Sequence, residues 1–316
     1  MSEFNDGKAT FFNKQAELPE TLNDHDLDIR LKELAKKIVP FNIIIPLVVI
    51  AAIGLALFFI IRVDNVVPVI FIWIAGFVVI AILSTMKTAL VNKIKLLVSH
   101  NLIRGVLAGE FELGEYEPEK HIDAGRIFAA SLLDTWNHES GSDFVYGKYK
   151  GVNFSFSDIS LTYRSSGKGR HHRSIFRGQW IICELAQELP FTMQIRKNTL
   201  IKGPGKKPDM VTGNDAFDSK YIIKTSGPQA ALSVLTPRLI DFVLDKEKNS
   251  GIRTYLSFTG SQVHIAFSNS RDLFEVKTKE IMRGNGAGDI REQMREDARH
   301  ITGAIDELLA NKMLFG

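Results

Sequence analysis

A single cysteine, Cys183, in a chain of 316 residues excludes a disulfide framework. The phosphate-loop pattern Gly-x-x-x-x-Gly-Lys-Ser/Thr and the nucleophile elbow Gly-x-Ser-x-Gly are both missing. No glycine period or internal repeat is present, so collagen-like and solenoid architectures are also excluded. The most telling scarcity is local. Residues 43–83 hold only two charged side chains, Arg62 and Asp64, although charged residues make up 24% of the chain. The mean hydropathy, close to zero, is therefore an average over an apolar block and an ordinary polar remainder.

That block reads as a membrane hairpin. Residues 43–61 are nineteen in a row without a charge, and 66–83 are eighteen more. At a helical rise each spans about 28 Å, close to the roughly 30 Å hydrocarbon core of a bilayer. Only Arg62-Val63-Asp64-Asn65 separates them, enough for a tight turn. The first run starts too far into the chain, and is too closely followed by the second, to read as a signal peptide. Arg30, Lys32, Lys36 and Lys37 precede the first run, and Lys87, Lys93, Lys95 and Arg104 follow the second. This asymmetry against the turn places both termini in the cytoplasm. No ionisable residue lies within either run, which argues against an ion or proton pathway. Gly54 and Gly76 fall near mid-span, where small residues let helices approach closely.

The flanks differ in charge. Residues 1–29 carry two lysines against seven acids, whereas 84–316 carry thirty-two basic and twenty-seven acidic side chains. Leu27, Leu31, Leu34 and Ile38 form one apolar stripe, acids leading and lysines trailing, so 1–42 reads as an acidic segment and an amphipathic lead-in helix. Leu90, Ile94, Leu97 and Ile103 continue the helical period beyond the hairpin. Residues 109–123, with six acids, two glycines and a proline, complete a helical extension and acidic linker over 84–123.

The remainder, 124–316, reads as an α+β domain with a largely antiparallel sheet. A short helix is expected over 125–136. Strands are expected at 144–149 and 152–163 about Lys150-Gly151, then at 175–185, 191–196 and 221–224. Helices follow at 228–235 and 237–248, the second opened by Thr236-Pro237 in cap and first-turn positions. A hairpin at 252–258 and 262–267 turns on Thr259-Gly260-Ser261, and a closing helix spans 289–313. The apolar stripe of that helix, Ile290, Met294, Ile301, Ile305 and Leu308, is covered either by the domain core or by a protein partner or second copy.

Several stretches carry a resemblance. Gly151-Val152-Asn153-Phe154-Ser155-Phe156-Ser157-Asp158, Phe176-Arg177-Gly178-Gln179-Trp180, Leu235-Thr236-Pro237, Leu256-Ser257-Phe258 and Val263-His264-Ile265-Ala266 resemble, in order, an uncharacterised bacterial inner-membrane family. Its members have a domain of unknown function, with two N-terminal transmembrane helices and a cytoplasmic α+β domain. The similarity covers about 25–270. It implies that fold and location but supplies no catalytic residues.

Two acid-free basic runs are the most distinctive polar feature. The first contains Arg164, Lys168, Arg170, Arg173 and Arg177; the second contains Arg196, Lys197, Lys202, Lys206 and Lys207. They are candidate contacts for anionic headgroups or an acidic partner. Aromatic residues do not interleave them as single-strand stacking requires, so nucleic acid is not expected. The adjacent His171-His172 cannot form the i, i+4 pair of a helical metal site, and Cys183 lies in an apolar strand as a small core residue. No catalytic, cofactor or metal residue is assigned. The expected function is a membrane-tethered interaction or scaffold domain, with a hydrolase or transferase lacking a linear motif, or an accessory subunit of a larger membrane complex, as alternatives.

Overall fold

The computed structural model describes residues 21–63, 67–165, 172–198 and 208–315, and the chain divides into two compact units, Met1–Asn101 and Leu102–Gly316.

The first unit is built from two long helices. α1 (Asp24–Phe58) starts at Asn23, whose side chain accepts from the Asp26 N–H at 2.9 Å. It runs unbroken through Pro40 and Pro46, so the lead-in helix and the first apolar run are one element. A π-helical turn, Phe59–Val63, ends it, and α2 (Val67–Val98) returns antiparallel. At the polar end Leu27, Leu31, Leu34 and Ile38 of α1 are buried, as are Ile94 and Val98 of α2. Here the Leu22 N–H donates to Asn101 Oδ1 at 2.7 Å, tying together residues 79 positions apart. Along the apolar stretch the large side chains face outward, with Ile61 74% and Phe77 73% exposed. The small residues sort as physics requires: a Cβ on Gly76 would lie 3.5 Å from Ala52 Cβ, so this glycine marks the helix crossing, whereas Gly54 has nothing within 4 Å.

The second unit begins with a π-helical turn that ends at Ile103 and α3 (Arg104–Glu110). Its sheet contains β1 (Glu112–Glu117), β2 (His138–Tyr149), β3 (Val152–Arg164), β4 (His172–Glu184), β5 (Met193–Lys197), β6 (Tyr221–Thr225), β7 (Arg253–Thr259) and β8 (Gln262–Ser268). The helices are α4 (Ala124–Ala129), α5 (Asp215–Asp218), α6 (Pro228–Ala231), α7 (Pro237–Ser250), α8 (Thr278–Arg283), α9 (Ala287–Leu309) and α10 (Lys312–Phe315). Strand order is β1-β2-β3-β4-β8-β7-β5-β6, and the paired strands are antiparallel.

Turn chemistry fixes the hairpins. Lys150 and Gly151 both take positive φ, 47° and 87°, the type I′ geometry that matches strand twist. Thr236 Oγ1 caps α7 by accepting from the Leu239 N–H at 3.2 Å, and Gly251 at φ 65° closes that helix. One sheet face packs Phe267 against Phe242 of α7 and His300 of α9. The other carries Ile159, Leu161, Trp180, Ile182 and Ala266 beneath Ile122, Ile127, Ala130 and Leu132.

Two local expectations change. The acidic segment 109–123 contributes an edge strand, β1, because Tyr116 is buried and its hydroxyl donates to Asp143 Oδ1 at 2.8 Å; its exposed glutamates keep that edge solvated. The helix expected over 125–136 stops at Ala129, and Ser131 turns the chain with φ 51°. The α9 stripe is buried within its own unit, from Ile290 through Leu308, so its apolar side is not left open to a partner or a second copy.

Candidate functional site

Three carboxylates that share no sequence spacing are brought together by strands β2 and β3 and the segment after β8. Asp143 occupies a bulge in β2 between Ser142 and Val145, in a left-handed conformation (φ 57°) that aspartate tolerates better than most residues. Asp158 lies in β3, opposite Ser142 on one side and Gln179 on the other. Asp272 lies beyond β8. Oxygens of the three are within 4.8 Å of one another; Asp143 and Asp158 are buried and Asp272 is exposed.

Asp158 is held on both oxygens. Gln179 Nε2 donates to Oδ1 at 2.7 Å, and the Leu273 N–H donates to Oδ2 at 2.9 Å. Burial is the main force on its acidity and pushes its pKa up to about 8, with Asp272 and Asp143 adding repulsion and the two hydrogen bonds opposing. The carboxyl is therefore mostly protonated at neutral pH. Gln179 also donates to the Arg271 carbonyl at 2.7 Å and accepts from Asn269 Nδ2 at 2.6 Å. Downstream, Asp297 of α9 accepts from Arg271 Nη2 and, at 3.0 Å, from the Phe274 N–H. Two buried acids thus fasten the segment after β8 to the sheet and to α9.

A cleft of about 310 Å³ opens over this cluster, lined by Ser140, Ser142, Ser160, Arg177, Arg271 and Asp272 together with Asp158. Its walls need glycine. A Cβ on Gly141 would sit 2.4 Å from the Asp158 carbonyl oxygen, and one on Gly178 only 1.9 Å from that of Phe267. An oxygen set of this kind suits a hard divalent cation. With Asp158 protonated, the proton relieves the same repulsion that a cation would.

The basic residues singled out in the sequence separate into four groups. Lys168, Arg170, Lys202, Lys206 and Lys207 lie outside the described residues, as does His171. Arg177 faces the acidic cleft. Lys197 pairs with Glu247 of α7 and lies 5.7 Å from the Tyr221 ring centre, joining β5 to the helix layer. Arg164, Arg173 and Arg196 each bond to one short segment, 128–137. Cys183 is buried, and burial pushes its thiol up to about 12, which leaves no thiolate at neutral pH.

The acidic cluster had no signature in the sequence, because strand pairing alone brings residues 143, 158 and 272 together. The one available signal was Asp158 itself, a carboxylate in an otherwise apolar and serine-alternating strand.

A domain described as "Protein of unknown function (DUF3137)" matches residues 174–309, from β4 through α9, which bears out the resemblance to a family of unknown function over a later stretch than the 25–270 on which it was drawn. No curated protein matches the chain. Among solved structures, "crystal structure of the mycobacterial trehalose monomycolate transport factor A, TtfA" aligns with a TM-score of 0.33 and 12% identity, over 62% of this chain and 92% of that one.

Proposed function

We propose that the chain is a two-pass protein of a bacterial inner membrane, with both termini cytoplasmic, whose hairpin tethers a non-enzymatic α+β domain that binds a protein partner or the anionic membrane surface. The observation that carries this reading is the outward display of large apolar side chains along α1 and α2, beside a second unit with its own closed core. Lipid is the solvent that makes such a surface stable. The basic residues on the outer flanks of the hairpin support the orientation.

Cysteine accessibility tests it. The one native thiol is buried and protonated, so an impermeant maleimide reads only introduced cysteines. In intact spheroplasts Val67→Cys is expected to label and Ser140→Cys to label only after lysis. Labelling of Ser140→Cys in intact cells, or release of the chain by alkaline carbonate, rejects the reading.

The cleft over Asp158 favours a second reading, a membrane-anchored hydrolase or transferase, since a carboxyl protonated near neutral pH is suited to general-acid work beside the Arg177 guanidinium. Turnover of an ester or phosphoester panel by the wild type, abolished in Asp158→Asn, would establish it. Absence of turnover in the wild type removes it.

A further inference from the structure

The described ends of the two basic runs lie at the same end of their strands. β3 ends at Arg164 and β4 begins at His172, so the first run joins those two strands. β4 pairs with β8 through Gly178 and Ser268, and Ser268 pairs with Arg253, the first residue of β7. β5 runs antiparallel to β7, with Met193 opposite Phe258 and Ile195 opposite Leu256, which brings Lys197 and the start of the second run to that same end.

The segment 128–137, from the last turn of α4 to the start of β2, touches the described ends of both runs. Asn137 Nδ2 donates to the Arg164 carbonyl and Asn137 Oδ1 accepts from the Arg164 N–H, each at 2.8 Å. Arg173 Nη2 reaches Asp134 Oδ2 at 3.3 Å in a surface ion pair. Arg196 Nη2 donates to the Ser131 carbonyl. Two aromatic residues of the segment pack edge to face, Phe128 against Trp136 at 5.7 Å, and Phe128 remains 62% exposed. Arg253 is exposed at the same sheet end. Arg173 and Arg196 therefore reach a segment that carries the exposed Phe128 and the half-buried Trp136, Arg164 is bonded to it through its backbone, and Arg253 is exposed at the start of β7.

We infer that this surface docks the second unit onto anionic phospholipid, with Phe128 and Trp136 entering the headgroup layer and Arg164, Arg173, Arg196 and Arg253 meeting its phosphates. The inference rests on the tether proposed above, which keeps a bilayer surface at high effective concentration. Aromatic side chains that are apolar at one end and wet at the other settle at membrane interfaces, and each nearby arginine adds about fivefold to affinity for an anionic leaflet. Lipid is favoured over an acidic protein because the surface combines positive charge with an exposed apolar side chain, Phe128.

The test compares hydrogen exchange of 128–137 in the full chain reconstituted in nanodiscs of phosphatidylcholine alone and of phosphatidylcholine with phosphatidylglycerol. Protection is expected only with phosphatidylglycerol. It should be lost in Arg164→Glu/Arg173→Glu, whose surface affinity falls at least about 25-fold, and kept in Arg164→Lys/Arg173→Lys. Exchange elsewhere in the sheet reports whether each variant is folded. Equal protection in both lipids, or protection that survives the charge reversal, overturns the inference. So does protection that appears only on adding a soluble protein fraction. Failure of the chain to enter nanodiscs would instead refute the tether. Co-sedimentation with phosphatidylglycerol vesicles then decides the lipid surface by itself, loss of wild-type binding overturning it.

Discussion

The indole N–H of Trp180 donates to Nδ1 of His264 at 3.2 Å, between neighbouring strands β4 and β8 and with both residues fully buried. Because Nδ1 accepts, the imidazole carries its proton on Nε2, the neutral tautomer. Burial, with Arg126 adding repulsion, lowers the His264 pKa to about 4 and keeps that form at all ordinary pH.

Trp180→Phe leaves His264 without its donor while preserving most of the aromatic packing against Phe176. A loss of about 2–3 kcal/mol is expected from one unsatisfied buried acceptor and a smaller ring. Chemical denaturation of the detergent-solubilised chain, followed through a probe in the second unit, measures it. A cost below about 0.5 kcal/mol would show that the indole hydrogen bond contributes no net stability.

His264 and His300 both resist protonation in the fold, each lowered to about 4 mainly by burial. In the unfolded chain they titrate near 6.5, so below that value the unfolded state binds more protons and stability falls as pH drops from 6.5 to 4. The loss is on the order of 3 kcal/mol per histidine at the lower limit. His300 packs its ring 5.1 Å from that of Phe267, and an apolar residue fits there. His300→Leu and His300→Gln should each remove about one proton's worth of the acid-side slope, roughly 1.4 kcal/mol per pH unit, and should separate at neutral pH, where the glutamine buries an amide and the leucine does not. An unchanged slope in His300→Leu would assign acid sensitivity to other groups.

Much of the architecture is legible because it depends on neighbours in sequence. The positive-φ pair at Lys150-Gly151, the Thr236-Pro237 cap and the period of Ile290, Met294, Ile301 and Ile305 each specify an element locally. What was not legible depends on strand order. Glu112–Glu117 has linker composition and becomes a strand only because Tyr116 finds Asp143 and β2 supplies a ladder. Placement of β5 and β6 outside β7, and hence of the described ends of both basic runs at one end of their strands, follows from long-range register. The same register brings Asp143, Asp158 and Asp272 together without any motif.

Gly178 is the most constrained position beside the cleft. Its φ of 147° and a Cβ position 1.9 Å from the Phe267 carbonyl oxygen leave no room on a backbone atom that cannot move aside. Gly178→Ala should prevent folding of the second unit. Gly76→Ala, whose Cβ meets Ala52 at an ordinary 3.5 Å, should leave the hairpin intact. Limited proteolysis of the two variants side by side distinguishes them, and a protease-resistant Gly178→Ala domain would contradict the register between β4 and β8.

Asp158 gives the opposite pH signature from the histidines. Its folded pKa of about 8 lies above the ordinary aspartate value of 3.8, so between these values the folded state binds more protons than the unfolded one. Its contribution to stability is present below about pH 4, declines as pH rises toward 8 and is flat beyond. In Asp158→Asn one oxygen becomes an amide that faces a donor, either Gln179 Nε2 or the Leu273 N–H. At pH 5 this variant should be less stable than the wild type by about 1–3 kcal/mol. The gap should narrow as pH rises to 8, because only the wild type then acquires a charge beside Asp143 and Asp272. Hydrogen exchange at Leu273 and Phe274 reads the same event locally, since both amides are held by buried acids of this network. A gap that stays constant from pH 5 to 9 would place the titration of Asp158 outside that range and remove the pH signature.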